Sequence, residues 1–340
     1  MPSMTRLSII DSHTAGEPTR MIVSGYPKIE GDTMVARLAY LEAHLDWVRC
    51  IAMHEPRGHR DMFGCVLMPA VDPSAHIGAV YMDGGRFYSM CGHASLGICA
   101  ILVETGQVPP TGRSTKVRID TPAGLVEGTV TTDEQGEIES VSLVDVPSFA
   151  LALDVTVDVP GFGQIRADIS YGGNIFVIAE AQDLGFSSID PHYTDALIQA
   201  GIALRQSANE QLQLSHPELL HLNRIDIAML TAPPSGPHAD GRNIVLLGDA
   251  QADRSPCGTG TCARLAVKHA KGELALGEVF RHESSIRTVF DARVLGLDRV
   301  GSYDAIIPEI SCRPFITGYN TLVVDPADPL KHGFTLGVSK

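Results

Sequence analysis

Two segments of this 340-residue chain repeat the same pattern of cysteine and glycine. The first begins Cys91-Gly-His-Ala-Ser and ends at Gly106, and the second begins Cys257-Gly-Thr-Gly-Thr and ends at Gly272. In both, the closing glycine follows the cysteine by 15 residues (106 − 91 and 272 − 257). A glycine in this place is typical of the residue after a helix end, which adopts a left-handed conformation. Each segment is therefore predicted to be one helix with a cysteine at its N-terminus.

The distance between the copies indicates a duplication. The cysteines lie 166 residues apart (257 − 91), which is about half the chain, as expected for two similar halves. Segments 14–23 and 170–178 echo this, since each has a glycine turn followed by an apolar strand. We expect an N-terminal half at residues 1–150, joined by residues 320–340, and a C-terminal half at residues 151–319.

The rest of the chain favours many strands and few helices. Short β-branched or apolar runs are predicted as strands at 116–120, 128–132, 140–144 and 175–179. Helical periodicity is found at 33–47, 94–105, 195–212 and 260–271. This balance predicts an α+β fold and not a regular βαβ winding.

Composition excludes several classes of function. The net charge is −14, from 26 basic and 40 acidic residues, so no basic surface for nucleic acid is expected. The 44% hydrophobic and 19% charged residues are typical of a folded globular protein. No apolar stretch approaches the roughly 20 residues that span a bilayer, and Asp11 interrupts any signal-peptide core. We expect a soluble, cytoplasmic protein without nucleic-acid or membrane partners.

A cysteine at a helix N-terminus is chemically distinctive. The unsatisfied amides and the helix dipole stabilise a thiolate, which lowers a cysteine pKa from about 8.5 towards neutrality. The same amides bind carboxylates. Two such cysteines around one carbon are the arrangement that inverts a stereocentre, because one removes the α-proton as thiolate and the other returns a proton as thiol. This chemistry needs no cofactor, and we expect none.

Other readings of the cysteines are weaker. The seven cysteines have irregular spacing and no C-x-x-C pair, so a disulfide framework is not expected. A zinc site from Cys91, His93, Cys257 and Cys262 fits no usual ligand spacing, and no metal is expected. We interpret the remaining cysteines as packing or surface thiols: Cys50, Cys65, Cys99, Cys262 and Cys312.

The chain resembles the proline racemase family, which includes proline racemases, 4-hydroxyproline epimerases and trans-3-hydroxyproline dehydratases. The matching segments are 11–18 (DSHTAGEP), 54–64 (HEPRGHRDMFG), 90–93 (MCGH), 253–261 (DRSPCGTGT) and 306–310 (IIPEI). They extend over essentially the whole chain, and the two cysteine-containing motifs, at 90–93 and 253–261, are highly specific to the family.

The resemblance implies a fold and a set of site residues. The fold is diaminopimelate-epimerase-like, with two pseudo-symmetric α/β halves, a central helix in each, and the active site in the cleft between them. Cys91 and Cys257 are implied as the proton donors and acceptors, and Asp253 as the contact of the substrate amine. Carboxylate or ring nitrogen would be bound by Gly92, His93, Gly258 and Thr259. The resemblance is also compatible with a homodimer.

The substrate stays open at this stage. Phe63 matches an aromatic residue that packs against the ring in proline racemases, whereas Leu247 replaces the second such aromatic residue. Proline is favoured, and 4-hydroxyproline is close behind. The alternative is a trans-3-hydroxy-L-proline dehydratase, although dehydratases of the family typically have threonine in place of the second cysteine. A non-catalytic amino-acid-binding or redox-sensing protein is a third reading.

Overall fold

The computed structural model describes residues 4–248 and 251–336. The chain divides into two compact units: Met1–Leu143 with Arg313–Lys340, and Val144–Cys312. The borders expected from the sequence, after residues 150 and 319, differ from these. Residues 1–3 and 337–340 of the expected N-terminal half lie outside the described residues, as do residues 249 and 250 of the other half.

The first unit consists of three helices and nine strands within the described residues. The helices are α1 (Met34–His44), α2 (Asp46–Met53) and α3 (Gly92–Glu104). The strands are β1 (Thr5–Thr14), β2 (Glu17–Ser24), β3 (Phe63–Met68), β4 (Ile77–Asp83), β5 (Phe87–Tyr88), β6 (Ser114–Thr121), β7 (Gly124–Thr132), β8 (Ile138–Val144) and β18 (Pro314–Val324).

These strands form a mixed sheet in the order β18-β1-β2-β3-β4-β6-β7-β8, and the short β5 pairs with β4. The pairs β2/β3 and β4/β6 are parallel. The remaining pairs are antiparallel, and the helices occupy the connections on either side of β3 and β4.

The second unit also has nine strands in its described part. They are β9 (Phe149–Val159), β10 (Gly163–Tyr171), β11 (Ile175–Glu180), β12 (Ile227–Ala232), β13 (Gly241–Leu247), β14 (Gln251–Ala252), β15 (Val279–Glu283), β16 (Val289–Val300) and β17 (Tyr303–Cys312). Its helices are α4 (Thr194–Gln211) and α5 (Gly258–Ala270), with short 3₁₀ helices at Ala181–Leu184 and Pro191–Tyr193.

The second sheet repeats the topology of the first. Its order is β9-β10-β11-β12-β13-β15-β16-β17, with β14 paired to β13. The parallel pairs, β11/β12 and β13/β15, fall at the same places as in the first sheet. Helix α3 follows β5, and α5 follows the corresponding β14. The prediction of two pseudo-symmetric halves is confirmed.

Each sheet wraps around one helix. Helix α3 contacts β18, β1, β2 and β7, and α5 contacts the corresponding β9, β10, β11 and β16. Residues 92–103 of α3 are all buried, as expected of a helix that is apolar on all sides. Close approach requires glycine: a Cβ at Gly172, at the end of β10, would lie 2.4 Å from the backbone of α5. The predicted central helix of each half is therefore confirmed.

The helix ends follow the repeated sequence pattern closely. Cys91 and Cys257 are the N-cap residues of α3 and α5. Gly106 and Gly272, each just beyond the C-cap residue, have φ of 72° and 73°, the left-handed conformation that glycine adopts at little cost. Both predicted helices are confirmed. They begin at Gly92 and Gly258, two residues before the starts at 94 and 260 that the periodicity indicated.

Other predicted elements were mostly right. The strands predicted at 116–120, 128–132, 140–144 and 175–179 lie within β6, β7, β8 and β11, and the helix predicted at 195–212 is α4. The single helix predicted at 33–47 was wrong. The chain forms two helices there, because Leu45 leaves the helical conformation (φ −127°, ψ 20°) and α2 then continues to Met53. No helix in the described residues is long and apolar enough to cross a membrane.

Candidate active site

The first half carries Cys91 at the start of α3. Its backbone is extended (φ −152°, ψ 124°), as is usual for an N-cap residue. The Cys91 Sγ lies 3.1 Å from Nδ1 of His93. A thiol and an imidazole at this distance are within hydrogen-bonding range of each other. The structure therefore brings together two of the predicted site residues.

An aromatic ring packs against the His93 imidazole. The Phe63 ring, at the start of β3, packs edge-on against His93 with centroids 4.8 Å apart. Tyr88 of β5 lies 5.8 Å from Phe63, and its hydroxyl donates a hydrogen bond to Asp83. Phe63 thus presents an apolar ring beside the Cys91–His93 pair.

The start of α3 is fixed by buried hydroxyl groups. Thr14, at the end of β1, donates a 2.8 Å hydrogen bond to the backbone carbonyl of His93. Ser95 donates a 2.8 Å bond to the carbonyl of Cys91, and Tyr81 lies 2.6 Å from the Ser95 hydroxyl. Since the first amides of a helix have no partner within it, the helix presents the amides of Gly92 and His93 beside the thiol.

The second half carries Cys257 at the start of α5, in a different backbone conformation. Its φ of 65° lies in the left-handed region, which is unusual for a residue with a side chain. The Sγ accepts a 3.4 Å hydrogen bond from the amide of Gly260 and lies 3.7 Å from the Thr259 hydroxyl. Cys257 therefore caps its own helix through its side chain.

Asp253 is bound into the turn that precedes Cys257. Its Oδ1 accepts 2.8 Å hydrogen bonds from both the amide and the hydroxyl of Ser255. The Ser255 hydroxyl oxygen in turn accepts a 3.0 Å bond from the amide of Cys257. This is an Asx-turn, in which a carboxylate organises the chain two residues later. Asp253 is only 5% exposed and reaches Cys257 through Ser255.

The other predicted residues of this half lie around the same helix end. Gly258 is buried, and the Thr259 hydroxyl lies 3.5 Å from the Asn174 side-chain amide. Leu247, at the end of β13, packs against the apolar cluster that contains Cys257. Cys257, Gly258, Thr259, Asp253 and Leu247 thus belong to the second unit, whereas Cys91, Gly92, His93 and Phe63 belong to the first.

The remaining cysteines have ordinary packing environments. Burial raises the pKa of Cys99 to about 12, and it raises the pKa of Cys65 and Cys312 further. The buried Cys262 lies against the Asp145 carboxylate, and its pKa is also raised, first by burial and then by that charge. These thiols stay protonated near neutral pH. No group of three or more possible metal ligands occurs in residues 4–248 and 251–336.

Four polar side chains near Cys257 were not predicted: Ser255, Asn243, Thr261 and His282. Ser255 has a local signal, since Asp-x-Ser is a typical Asx-turn pattern. The other three contact one another or the Pro256 carbonyl, and they come from β13, α5 and β15. Only the sheet register brings β13 and β15 side by side, so no local sequence pattern identifies the group.

Comparison with known proteins assigns the family. The sequence profile described as proline racemase matches residues 9–335. The chain belongs to the proline racemase family. It is 44% identical to a proline racemase of Acetoanaerobium sticklandii, over 96% of this chain and 97% of the relative. It is 39% identical to a 4-hydroxyproline epimerase of Brucella ovis, over 96% of this chain and 97% of that relative.

Solved structures agree with the assignment. A hydroxyproline epimerase from Agrobacterium vitis, with bound trans-4-OH-L-proline, superposes with a TM-score of 0.86 at 31% identity, covering 98% of this chain and 95% of that one. A PhzF-family phenazine biosynthesis protein of Bacillus anthracis shares the fold alone, with a TM-score of 0.58 at 12% identity, covering 95% of this chain and 99% of that one. The predicted diaminopimelate-epimerase-like α+β fold is confirmed. The chain is an isomerase of the racemase and epimerase class.

Proposed function

We propose that this proline racemase family member inverts the Cα of a free cyclic imino acid, with proline as the favoured substrate and 4-hydroxyproline as the second. Cys91 and Cys257 act as the two acid–base groups, without a cofactor. The observation that carries the proposal is the duplicated helix start. Each half of the fold places a cysteine as the N-cap residue of its central helix.

The reaction is a pair of balanced proton transfers. One cysteine, as thiolate, takes the α-proton, and the electron pair of the broken C–H bond moves into the carboxylate to give an enediolate. The other cysteine, as thiol, delivers its proton to the opposite face of the same carbon and becomes the thiolate. The first cysteine is then the thiol and the second the thiolate. This form of the enzyme accepts the opposite enantiomer, or it returns to the starting form by proton exchange with water. Both thiols must therefore work as acid and as base.

The amides at the two helix starts supply the charge stabilisation. The substrate carboxylate would be held by the amides of Gly92, His93, Gly258 and Thr259, since helix N-termini favour anions. These donors stabilise the enediolate more than the carboxylate, because negative charge on the oxygens grows as the proton leaves. Asp253 would pair with the ring ammonium, with its Oδ1 oriented by Ser255.

The apolar neighbours support proline as the favoured ring. Phe63 and Leu247 offer carbon surfaces and no hydrogen-bond partner for a ring hydroxyl. An apolar pocket rejects an added hydroxyl only by a factor of about 10² at most, so 4-hydroxyproline is expected to react more slowly and not to be excluded. The relatives point the same way, since the proline racemase is 44% identical and the 4-hydroxyproline epimerase 39%.

One experiment tests the proposal. The protein is incubated in D₂O with L-proline, trans-4-hydroxy-L-proline or trans-3-hydroxy-L-proline, and the α-proton is followed by NMR. Loss of the α-signal is the expected result, fastest with proline, together with D-proline in chiral chromatography or, for 4-hydroxyproline, the NMR signals of the new epimer. A carbonyl-reactive elimination product from the 3-hydroxy substrate alone would instead make the protein a dehydratase. No exchange with any of the three would refute the proposed substrates.

A further inference from the structure

Cys257 is held in a backbone conformation that a cysteine does not adopt by preference. Its φ of 65° contrasts with −152° at Cys91, although the two residues cap corresponding helices. Residues in this region persist only where their surroundings over-determine the conformation, and such positions concentrate at active sites. The question is which side chains impose it.

Both ends of the peptide bond before Cys257 are held by buried side chains. The Pro256 carbonyl accepts a 2.8 Å hydrogen bond from Nδ2 of Asn243 and a 3.2 Å bond from the Thr261 hydroxyl. The Cys257 amide donates to the Ser255 hydroxyl at 3.0 Å. The dihedral φ of Cys257 is the rotation about its N–Cα bond. Holding this peptide plane on one side and α5 on the other therefore fixes φ, and the Gly260 amide holds the Sγ.

His282 lies directly behind Thr261. Its Nδ1 is 2.9 Å from the Thr261 hydroxyl oxygen, and the side chain is 1% exposed. Burial, together with the nearby Arg264 and Lys268 charges, lowers the pKa of His282 to about 3, so the imidazole is neutral. Both hydrogen bonds of the Thr261 hydroxyl form together when the His282 Nδ1–H donates to its oxygen and the hydroxyl donates to the Pro256 carbonyl. His282 thus orients the hydroxyl that holds the carbonyl.

The Asn243 side chain makes one hydrogen bond in the described structure, from Nδ2 to the Pro256 carbonyl. It is fully buried, and its Oδ1 has no hydrogen-bond partner among the described residues. An orphaned buried acceptor is unfavourable, and an apolar residue of similar size would avoid it. The bond from Nδ2 to the Pro256 carbonyl is therefore the feature that distinguishes asparagine from leucine at this position.

The duplicated half provides an internal comparison. Gly241 pairs with His282 between β13 and β15, as Ile77 pairs with Ile119 between β4 and β6. By this register Asn243 corresponds to Ala79, and His282 corresponds to Ile119. Both counterparts are buried and apolar. The polar pair Asn243 and His282 thus lies in the second half, where Cys257 has the left-handed backbone. In the first half, where Cys91 is extended, alanine and isoleucine stand at the corresponding positions.

We infer that Asn243 and His282 are positioning residues for Cys257. They hold the Pro256 carbonyl, His282 through Thr261, and so keep the Cys257 thiol pointed at its site. Catalytic significance of this role rests on the proposed function, in which Cys257 is one of the two acid–base groups. The first half holds the start of α3 with other side chains, Tyr81 and Ser95 among them, and the counterparts of Asn243 and His282 there take no part.

The test exchanges the pair for its first-half counterparts, Asn243→Ala and His282→Ile, singly and together. We expect kcat for proline to fall by at least about 10-fold in the double variant with KM within about 2-fold, because a displacement near 1 Å of a reacting group costs about 100-fold. Alkylation by iodoacetamide, mapped by peptide mass spectrometry, should change at Cys257 while the rate at Cys91 is unchanged. Cys91 is the reference within each molecule.

The matched control is Asn209→Ala in α4. Asn209 also donates from Nδ2 to backbone carbonyls, those of Arg205 and Ile225, and its loss should lower stability without a selective effect on Cys257. Equal kcat losses in the control and in the Asn243 and His282 variants would overturn the inference, as would unchanged kcat and alkylation. If the unmodified protein does not turn over proline or 4-hydroxyproline, the proposed function fails, and the alkylation ratio alone decides the positioning role.

Discussion

Replacing Gly172 with alanine should displace the helix start that carries Cys257. Gly172 is buried at the end of β10, and a Cβ there would lie 2.4 Å from the Ala263 nitrogen and from the Thr259 carbonyl oxygen. Both are backbone atoms of α5, so no side-chain rotation relieves the clash. The helix must retreat by about 1 Å to reach ordinary van der Waals distance. Gly172 does not need a positive φ, so the effect is purely steric.

Two consequences are measurable. Overpacking of this kind costs about 1–3 kcal/mol, and each kcal/mol lowers the thermal midpoint by about 2–4 °C in a unit of this size. The same displacement moves Cys257, so kcat/KM for the preferred substrate should fall by about 100-fold. Thermal unfolding by circular dichroism and racemisation by polarimetry give the two quantities.

The control for this prediction is Gly296→Ala in β16 of the same unit. There the nearest atom to a new Cβ is Ile307 Cγ1 at 3.7 Å, an ordinary contact. We expect its thermal midpoint and activity to stay close to those of the unmodified protein. If Gly172→Ala behaves like Gly296→Ala in both assays, the close packing of β10 on α5 is not what places Cys257.

Three further predictions concern the thiols, the pH dependence of stability and the substrate ring. Cys91→Ser and Cys257→Ser should each abolish racemisation, by at least about 10³-fold, and a fully active variant in a chiral chromatography assay would contradict the two-base proposal. His282 has a pKa of about 3 in the folded chain against 6.5 ordinarily, so its contribution to stability is complete above pH 6.5 and is lost as the pH falls towards 3. The free energy of unfolding should decrease there by up to about 1.4 kcal/mol per pH unit, and urea titrations at several pH values should show a shallower slope for His282→Ile. Leu247→Phe should raise the kcat/KM preference for proline over 4-hydroxyproline by about 10-fold, which parallel progress curves will reveal.

Local chemistry explains how far the sequence predicted the fold. The ends of α3 and α5 depend on an N-cap residue and on a glycine after the C-cap, and both are visible within 16 consecutive residues. The break between α1 and α2 has no such signal, since neither proline nor glycine occurs in the sequence around Leu45. Strand order was beyond reach for a similar reason: β1 pairs with β18 from the other end of the chain.

The residues of the candidate site also differ in whether a local sequence pattern marks them. Cys91 and Cys257 could be predicted because the repeat marks them, and Ser255 could have been found from its turn pattern. Asn243 and His282 could not, because Asn243 reaches the Pro256 carbonyl and His282 reaches Thr261 only after β13 and β15 have paired in register. A single buried asparagine or histidine in a sequence has no distinguishing pattern around it. Its role depends on contacts that form only when the sheet does.

The difference between the two cysteine environments follows from the chemistry of the proposed reaction. Apart from the carboxylate, the reacting carbon bears a ring nitrogen and a ring carbon, so two identical halves could not both suit the ring. The carboxylate, in contrast, is served equally well by either helix start. The halves do keep the helix start in common and differ around it: Phe63 and His93 accompany Cys91, whereas Asp253 and Ser255 accompany Cys257. Under the proposed function, duplication would account for the paired thiols, and divergence of their neighbours would account for recognition of an asymmetric ring.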